Sequence, residues 1–212
     1  SGAGQTAPVN RNGVKLMSDP GVLDIRIYGN DLNDNDIAGE AGDGQNIACN
    51  WMSSVDLLAY LDWAALRPMT ELEFEKACRG TNTAVAGEFA WGSTVISGAT
   101  GITNSGANNE VASNAGANVV YNNAGGVTGP MRVGNFAQAA TTQLQAGAGY
   151  YGIMELSGNV WEDVALVGSV AGRSFTGLHG NGVLNANGQA DVNFWPGING
   201  NNTPGNANGV YG

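Results

Sequence analysis

The chain has 212 residues, of which 34 are glycine and only 12% are charged, and its formal net charge is −10. This acidic balance argues against a nucleic-acid partner, because such binding depends on Lys and Arg side chains that neutralise phosphates. No apolar run reaches the roughly 20 residues of a membrane-spanning helix, so no membrane insertion is expected. So much glycine predicts a folded domain with many turns and extensive ordered loops.

The first predicted elements are an N-terminal arm and a strand. Residues 1–21 are rich in Gly, Ala, Pro and Asn, and they are predicted to form an extended arm ahead of a single domain at residues 22–212. Alternation of apolar and polar residues from Leu23 to Tyr28 predicts the strand.

An acidic, Asn-rich segment follows the predicted strand. Asp31, Asn33 and Asn35 have the spacing of a calcium-binding loop. Asp36 stands where an EF-hand loop requires Gly, and Gly42 stands where it requires Glu. The default interpretation is therefore a solvated loop.

Two helices are predicted in the next part of the chain. Ser53 or Ser54 can cap the first helix, which carries an apolar face. Thr70 and Glu73 have the spacing of a capping box at the start of the second helix. Gly80 is placed to end this helix. Leu72, Phe74 and Ala77 are predicted to face the core, and Arg67 is predicted to pair with Glu75.

Five sequence motifs then carry a family resemblance. The strongest is residues 151–162, Tyr-Gly-Ile-Met-Glu-Leu-Ser-Gly-Asn-Val-Trp-Glu. In the same order as in the family, the others are residues 49–63, 66–80, 89–92 and 132–136. Together they resemble the formylglycine-generating enzyme (sulfatase-modifying factor) family, a branch of the C-type-lectin fold. The resemblance implies an α+β domain of the C-type-lectin fold with two helices, small antiparallel sheets and extensive loops. Set against the family's pattern, residues 22–212 are expected to lack the family's terminal strands.

The resemblance also implies a structural calcium site, because the family binds Ca²⁺ at the motif that matches residues 151–162. The matching ligands are the side chains of Glu155 and Glu162 and the carbonyl oxygens of Gly158 and Val160. Asn104 lies roughly where the family contributes to a second calcium site. The alternative is that Glu162 and Asn159 only tie down a turn around a buried Trp161.

The resemblance implies the fold without the family's catalytic chemistry. Its enzymes bind copper through a cysteine pair in their last segment, but residues 172–212 contain no cysteine. A related iron-dependent branch uses three histidines, whereas His179 is the only histidine of this chain. No copper and no enzymatic activity are therefore expected. Cys49 and Cys78 are interpreted as buried free thiols rather than a disulfide.

The C-terminal segment predicts a recognition surface instead. Aromatic anchors mixed with adaptable amide side chains are typical of binding loops. The predicted ligand-binding residues are Asn193, Phe194, Trp195, Asn199, Asn201, Asn202, Asn206, Asn208 and Tyr211. This region resembles the diversified part of the variable proteins of diversity-generating retroelements. The expected partner is a protein or glycan receptor on another cell or particle, and the expected location is extracellular, on a cell surface or on a virion. A self-associating structural or decoration subunit and a divergent sulfatase-modifying enzyme are the alternatives.

Overall fold

The structure is a computed structural model that describes residues 7–18, 25–121, 126–192 and 195. In chain order, the helices and strands of this part are β1 (Val14–Ser18), β2 (Ile27–Asn30), α1 (Ser54–Trp63), α2 (Glu71–Arg79), β3 (Ile102–Thr103), β4 (Val111–Ala112), α3 (Gln143–Ala146) and α4 (Val170–Arg173). Short helices and two small antiparallel sheets joined by long ordered loops are compatible with the expected α+β class.

The chain divides into two compact units, where the sequence predicted one domain after an arm. Unit 1 contains residues 1–51 and 78–161, and unit 2 contains residues 52–77 and 162–212. No helix in the described ranges is long and apolar enough to cross a membrane.

Unit 1 holds both sheets. β1 pairs antiparallel with β2, with Val14 opposite Asn30 and a register irregularity between Leu16 and Ser18. Residues 14–18 were expected in an extended arm, and they form a paired strand instead. β3 pairs antiparallel with β4. The core beside this second hairpin is built from buried apolar residues: Ala99, Ala117, Val120, Val127, Met131 and Phe136.

Unit 2 is organised around α1 and the first part of α2. Its core consists of Leu58, Ala165, Ala190, Val192 and Trp195. A parallel bridge between Thr70 and Ala165 joins the start of α2 to the segment that returns from the other unit. This bridge and the core bring residues 162–192 back onto α1.

The predicted helix starts are confirmed. Ser53 and Asp56 form a reciprocal capping box at α1. Thr70 and Glu73 do the same at α2, since Glu73 accepts from the Thr70 backbone N–H and the Thr70 hydroxyl accepts from the Glu73 N–H. These side chains satisfy N–H groups that a helix end otherwise leaves without partners.

The end of α2 is also as predicted. Gly80 follows its last residue and has a φ of 61°. A Cβ at this position would collide with the ring of Tyr150, so both backbone conformation and space require glycine.

One prediction about the helical region is wrong. Leu72 was expected to face the core, but it is 65% exposed. Arg67 pairs with Glu73, and its pairing with Glu75 stays a prediction. Glu73 is already fixed by the capping box, so its carboxylate is held where the guanidinium can reach it. The pKa of Glu73 is lowered to about 2, chiefly by the hydrogen bond from Arg67 and then by the Thr70 N–H.

Candidate functional site

A buried carboxylate on α1 holds the loop of unit 2 that leads towards the predicted recognition segment. Asp62 is fully buried, although it lies in the last turn of a helix whose neighbouring residues are partly exposed. Its Oδ1 accepts the backbone N–H of Asn181 at 2.9 Å, and its Oδ2 accepts that of Asp191 at 3.0 Å. One side chain therefore fixes both ends of residues 181–191.

The backbone of α1 and of the turn that follows it adds two further hydrogen bonds to the same loop. The Gly182 N–H donates to the carbonyl oxygen of Asp62 at 3.0 Å, and the Gly180 N–H donates to that of Leu66 at 2.6 Å. A Cβ at Gly180 would collide with the backbone of Asp62. The loop thus approaches the helix as closely as a glycine allows, and carbonyl groups at the helix end gain partners that the helix itself does not supply.

Trp195 anchors the far end of this region. It was predicted to be a ligand-binding residue, but its side chain is 0% exposed and lies in the core with Leu58 and Ala165. Its indole Nε1–H donates to the carbonyl oxygen of Leu178 at 2.7 Å. A buried indole whose one donor is satisfied is a core residue. The structure therefore corrects this prediction: Trp195 packs in the core of unit 2 and supports the loop through its hydrogen bond to Leu178.

Exposed apolar side chains surround the tethered loop, and we call this set the α1 surface: Tyr60, Trp63, Leu66, Leu178 and Val183. Trp63 is 63% exposed and Val183 is 60% exposed. The rings of Tyr60 and Trp63 lie 6.3 Å apart. The hydrogen bonds from Gly180 and Gly182 place the loop beside Leu66 and Trp63. Unit 2 thus combines a rigid support with exposed aromatic area.

The remaining predicted ligand-binding residues lie outside the described part of the chain. These are Asn193, Phe194, Asn199, Asn201, Asn202, Asn206, Asn208 and Tyr211. They stay a prediction from the sequence.

The predicted calcium motif forms a turn in unit 1 that is closed by its own side chains. The Oε1 atom of Glu155 accepts the Gly134 N–H at 2.7 Å, and its Oε2 atom accepts the Asn159 side-chain amide at 2.7 Å. The Oδ1 atom of Asn159 accepts the Met131 N–H at 2.8 Å. Glu155 and Asn159 both have a φ of 66°. The expected tying role of Asn159 is present, but Trp161 is 95% exposed rather than buried.

The fit of this turn to a calcium ion rests on Glu155. Burial raises the pKa of Glu155, and the hydrogen bonds from Gly134 and Asn159 only partly oppose that effect. Both carboxylate oxygens already accept a protein donor, so a cation could use only their second lone pairs. In the described ranges, no three acidic, His or Cys side chains lie together as a metal-binding group.

The other predicted calcium ligands take different positions. Gly158 has a φ of 90°, and a Cβ there would collide with Val119 and the backbone of Val120. Asn104 is exposed in the turn after β3, and no hydrogen bond within the described residues joins it to Glu155. Val160 belongs to unit 1 and Glu162 to unit 2. Their role as ligands stays a prediction.

The acidic loop after β2 contains an internal cation. The Lys15 ammonium contacts one oxygen each of Asp31, Asp34 and Asp36, at 3.1, 2.7 and 2.6 Å. The hydrogen bonds that Lys15 donates to Asp34 and Asp36 raise the pKa of Lys15 well above its ordinary value. A protein ammonium thus neutralises the side chains whose spacing suggested a calcium loop.

The two thiols and the imidazole do not form a common centre in the described structure. Both cysteines are free, as predicted, but Cys49 is exposed and Cys78 half-buried, so the prediction of buried thiols is wrong for Cys49. Burial of the sulfur atom nevertheless raises the pKa of the Cys49 thiol, which disfavours the reactive thiolate. His179 is exposed in the loop of unit 2 that precedes Gly180.

Sequence reasoning missed the residues that organise both loops, Asp62 and Lys15. Asp62 received no interpretation of its own from the sequence, and Lys15 fell within a segment interpreted as an arm. The available signal for Asp62 was a carboxylate in the final turn of a helix, where it opposes the helix dipole. Such a residue is unfavourable unless other donors reach it.

Capped helices, small sheets and long ordered loops define a protein of the α+β class. Compared with known families, residues 46–194 match the sulfatase-modifying factor enzyme 1-like domain. Since this match covers well over half of the chain, the chain belongs to that family. Comparisons with curated proteins and with solved structures gave no significant match.

Proposed function

We propose that this chain is a non-catalytic recognition domain of the C-type-lectin type whose binding surface lies on unit 2. One observation carries the proposal: Asp62 and the buried Trp195 hold a loop rigidly beside the exposed side chains of the α1 surface. Rigid presentation lowers the entropy cost of binding, because less chain has to be ordered when the partner arrives. The family match supports the fold and leaves the activity open.

The chemistry of the α1 surface favours a partner with its own apolar area. Tyr60 and Trp63 offer large flat side chains, which are enriched among the residues that dominate binding energy. A protein or glycan receptor on another cell or particle fits this chemistry. We place the protein accordingly on a cell surface, on a virion or outside the cell, and we keep the Asn-rich residues after 192 as its adaptable polar contacts.

The chemistry of copper ligands disfavours catalysis by this chain. Copper(I) requires soft thiolate ligands, and the chain contains only Cys49 and Cys78. Cys49 has a raised thiol pKa, and both lie far in sequence from the segment that carries the catalytic pair in the enzymes the chain resembles. Oxygen uptake in the presence of copper and a cysteine-containing sulfatase peptide tests this part. Turnover that disappears in Cys49→Ser or Cys78→Ser would contradict the non-catalytic assignment.

The binding experiment compares exposed tryptophans. The purified chain and its Trp63→Ser variant are applied to a glycan array and to an array of purified cell-surface proteins. Trp51→Ser is the matched control, because Trp51 is 57% exposed but belongs to unit 1. We expect Trp63→Ser to remove binding that Trp51→Ser retains, with unchanged melting temperatures. Equal binding by all three proteins would reject the α1 surface as the site.

Diversification of the C-terminal segment is tested by sequencing and does not depend on the binding experiment. Sequencing the 3′ end of the gene across its source population should show changes confined to codons from about residue 173 onward and concentrated at adenines. Uniform low variation would remove the retroelement mechanism and leave a binder of fixed specificity. If the arrays give no partner while the chain assembles with itself, the structural-subunit alternative replaces recognition.

We also propose calcium as a structural ion, supported by the half-buried Glu155 carboxylate and by the match of residues 151–162 to the calcium-binding motif of the family. A ligand that binds only the folded state raises stability, so chelation should lower the melting temperature. Calcium, but not magnesium, should restore the melting temperature, and Glu155→Gln should remove the difference. An unchanged melt in chelator would discard the site.

A further inference from the structure

Unit 1 contains a cavity whose lining residues are different from those of the proposed recognition surface. A cavity of about 270 Å³ is lined by residues of β4, of α3 and of the loops at 114–117 and 135–141. Its walls are held in place independently of any ligand. The Asn114 side chain accepts the Thr100 N–H at 2.8 Å and donates to the Gly98 carbonyl oxygen at 3.1 Å. The cavity is therefore preformed, which is typical of small-ligand sites.

The lining combines polar and apolar side chains and, in the part of the chain that the structure describes, carries no charged group. Among the described residues, the polar side chains of the cavity are those of Asn114, Asn135, Gln138, Thr141 and Gln145. Val111, Ala112, Ala117 and Phe136 provide its apolar part. A charged ligand would lose its hydration here without gaining an opposite charge. The lining therefore selects a neutral ligand that carries both hydroxyl groups and apolar C–H surface.

Several hydrogen-bonding groups at the cavity have no partner within the described residues. Asn135 is 2% exposed, and its Nδ2 donates to the Arg132 carbonyl oxygen, whereas its Oδ1 is buried without a partner. A buried acceptor without a donor is rare in native proteins and points to a missing water or ligand. Gln138 and Gln145 are exposed at the edge of the cavity. The Nε2 atom of Gln145 and both polar atoms of the Gln138 side-chain amide make no hydrogen bond to described residues.

We propose that this cavity binds one neutral, hydroxyl-bearing ring, such as a single sugar residue or a cyclic polyol. The volume suits one ring rather than a chain of rings. The hydroxyl groups of the ring pair with the amides of Gln138 and Gln145, and one of them donates to Asn135 Oδ1 after a small shift of the cavity wall. The C–H face of the ring packs on the apolar part of the lining.

The experiment uses protein-observed NMR on the full chain with six probes. Glucose, galactose, N-acetylglucosamine and myo-inositol are the neutral rings; glucuronate and glucosamine are rings of similar size with a negative and a positive charge. With at least one neutral ring, we expect saturable chemical-shift changes at the backbone amides of Ala115, Gly116 and Gln138. The charged rings should bind more weakly.

Three variants assign the shifts to the cavity. Ala115 is exposed and lines the cavity, so Ala115→Phe should fill the space without disturbing the core and should abolish binding. Gln138→Ala should weaken binding by about 2- to 10-fold, the effect of one lost hydrogen bond. Gln143→Ala is the matched control, because Gln143 is an exposed glutamine on α3 that does not line the cavity.

Two outcomes would overturn the proposal. One is that no neutral ring produces saturable shifts at the cavity up to its solubility limit. The other is that neutral and charged rings give similar chemical-shift changes that persist in Ala115→Phe, which would show only non-specific binding of the rings. Asn135→Leu adds a check on the buried acceptor, but the exposed variants decide the outcome even if Asn135→Leu fails to fold.

Discussion

Two fully buried aspartates, Asp31 in unit 1 and Asp62 in unit 2, organise two loops by different means. Asp31 accepts from the N–H groups of Asn35 and Asp36, four and five residues ahead, and from Lys15. Asp62 accepts from Asn181 and Asp191, which lie 119 and 129 residues away. The first carboxylate shapes its own loop, whereas the second joins remote parts of the chain. A local tether can form before the fold is complete, but a remote tether depends on it.

The largest expected effect comes from removing the apolar support beneath the remote loop. Trp195→Ala deletes a fully buried side chain and its hydrogen bond to Leu178, so the free energy of unfolding should fall by about 3–5 kcal/mol. Urea denaturation measures the loss. Trp63→Ala, at an exposed tryptophan of the same unit, is the control and should change stability far less. Equal losses in the two variants would contradict the core position of Trp195.

Asp62→Asn tests the remote tether itself. One carboxylate oxygen is replaced by an NH₂ group that cannot accept, so one of the two N–H groups loses its partner. The charge that strengthened both hydrogen bonds is also gone. We expect a loss of about 2–3 kcal/mol. Hydrogen exchange should accelerate at the amides of Asn181 and Asp191.

Gly182 provides an internal control for this variant. Its N–H donates to the backbone oxygen of Asp62, which the substitution leaves in place. Exchange at Gly182 should therefore accelerate less than at Asn181. Unchanged exchange at both Asn181 and Asp191 would show that the carboxylate does not hold the loop.

Lys15→Met tests the local tether and should have a smaller effect. Burial alone would raise the pKa of Asp31, but hydrogen bonds from Lys15, Asn35 and Asp36 outweigh it and lower the pKa below its ordinary value of 3.8. Because the folded-state pKa is lowered, the stability from Asp31 is present above pH 3.8 and is lost as the pH falls further. Without Lys15, acid unfolding should begin at a higher pH.

The measurement for Lys15→Met is the melting temperature as a function of pH. Lys76→Met is the control, since Lys76 is exposed on α2. Hydrogen exchange in the same variant should change at residues 34–36 and not at residues 181–191. An acid transition identical to that of the unchanged chain would contradict the role of Lys15.

Glu73→Gln gives the smallest expected effect and concerns a second local tether, since Glu73 caps its own helix and pairs with Arg67, six residues earlier in the chain. The lowered pKa of Glu73, about 2, means that its contribution is complete above pH 4.5 and is lost between pH 4.5 and pH 2. The side chain is 42% exposed, so solvent screening limits the contribution to below about 1 kcal/mol. Glu73→Gln should flatten the pH dependence in this window, whereas Glu75→Gln should leave it in place.

The sequence predicted those parts of the fold that depend on near neighbours. Ser53, Thr70 and Gly80 were identified correctly, because capping and helix termination involve residues three or four apart. The burial of Trp195 could not be predicted, since an Asn- and Gly-rich segment gives no periodicity to separate an inward side chain from an outward one. Lys15 was missed for a similar reason: its strand pairs through residues that were counted as an arm. The family resemblance supplied what local patterns could not, and the match over residues 46–194 confirmed it.

Gly180 sets a limit on how the loop of unit 2 can change during evolution. A side chain at this position would displace the backbone of α1, whereas Leu178 and Val183 on either side are 49% and 60% exposed and tolerate a wider choice of side chains. Mutations at these exposed positions can therefore change the surface chemistry of the loop while the backbone of the loop keeps its course along the helix. Such a separation lets a lineage test many surface compositions without losing folded molecules at each trial.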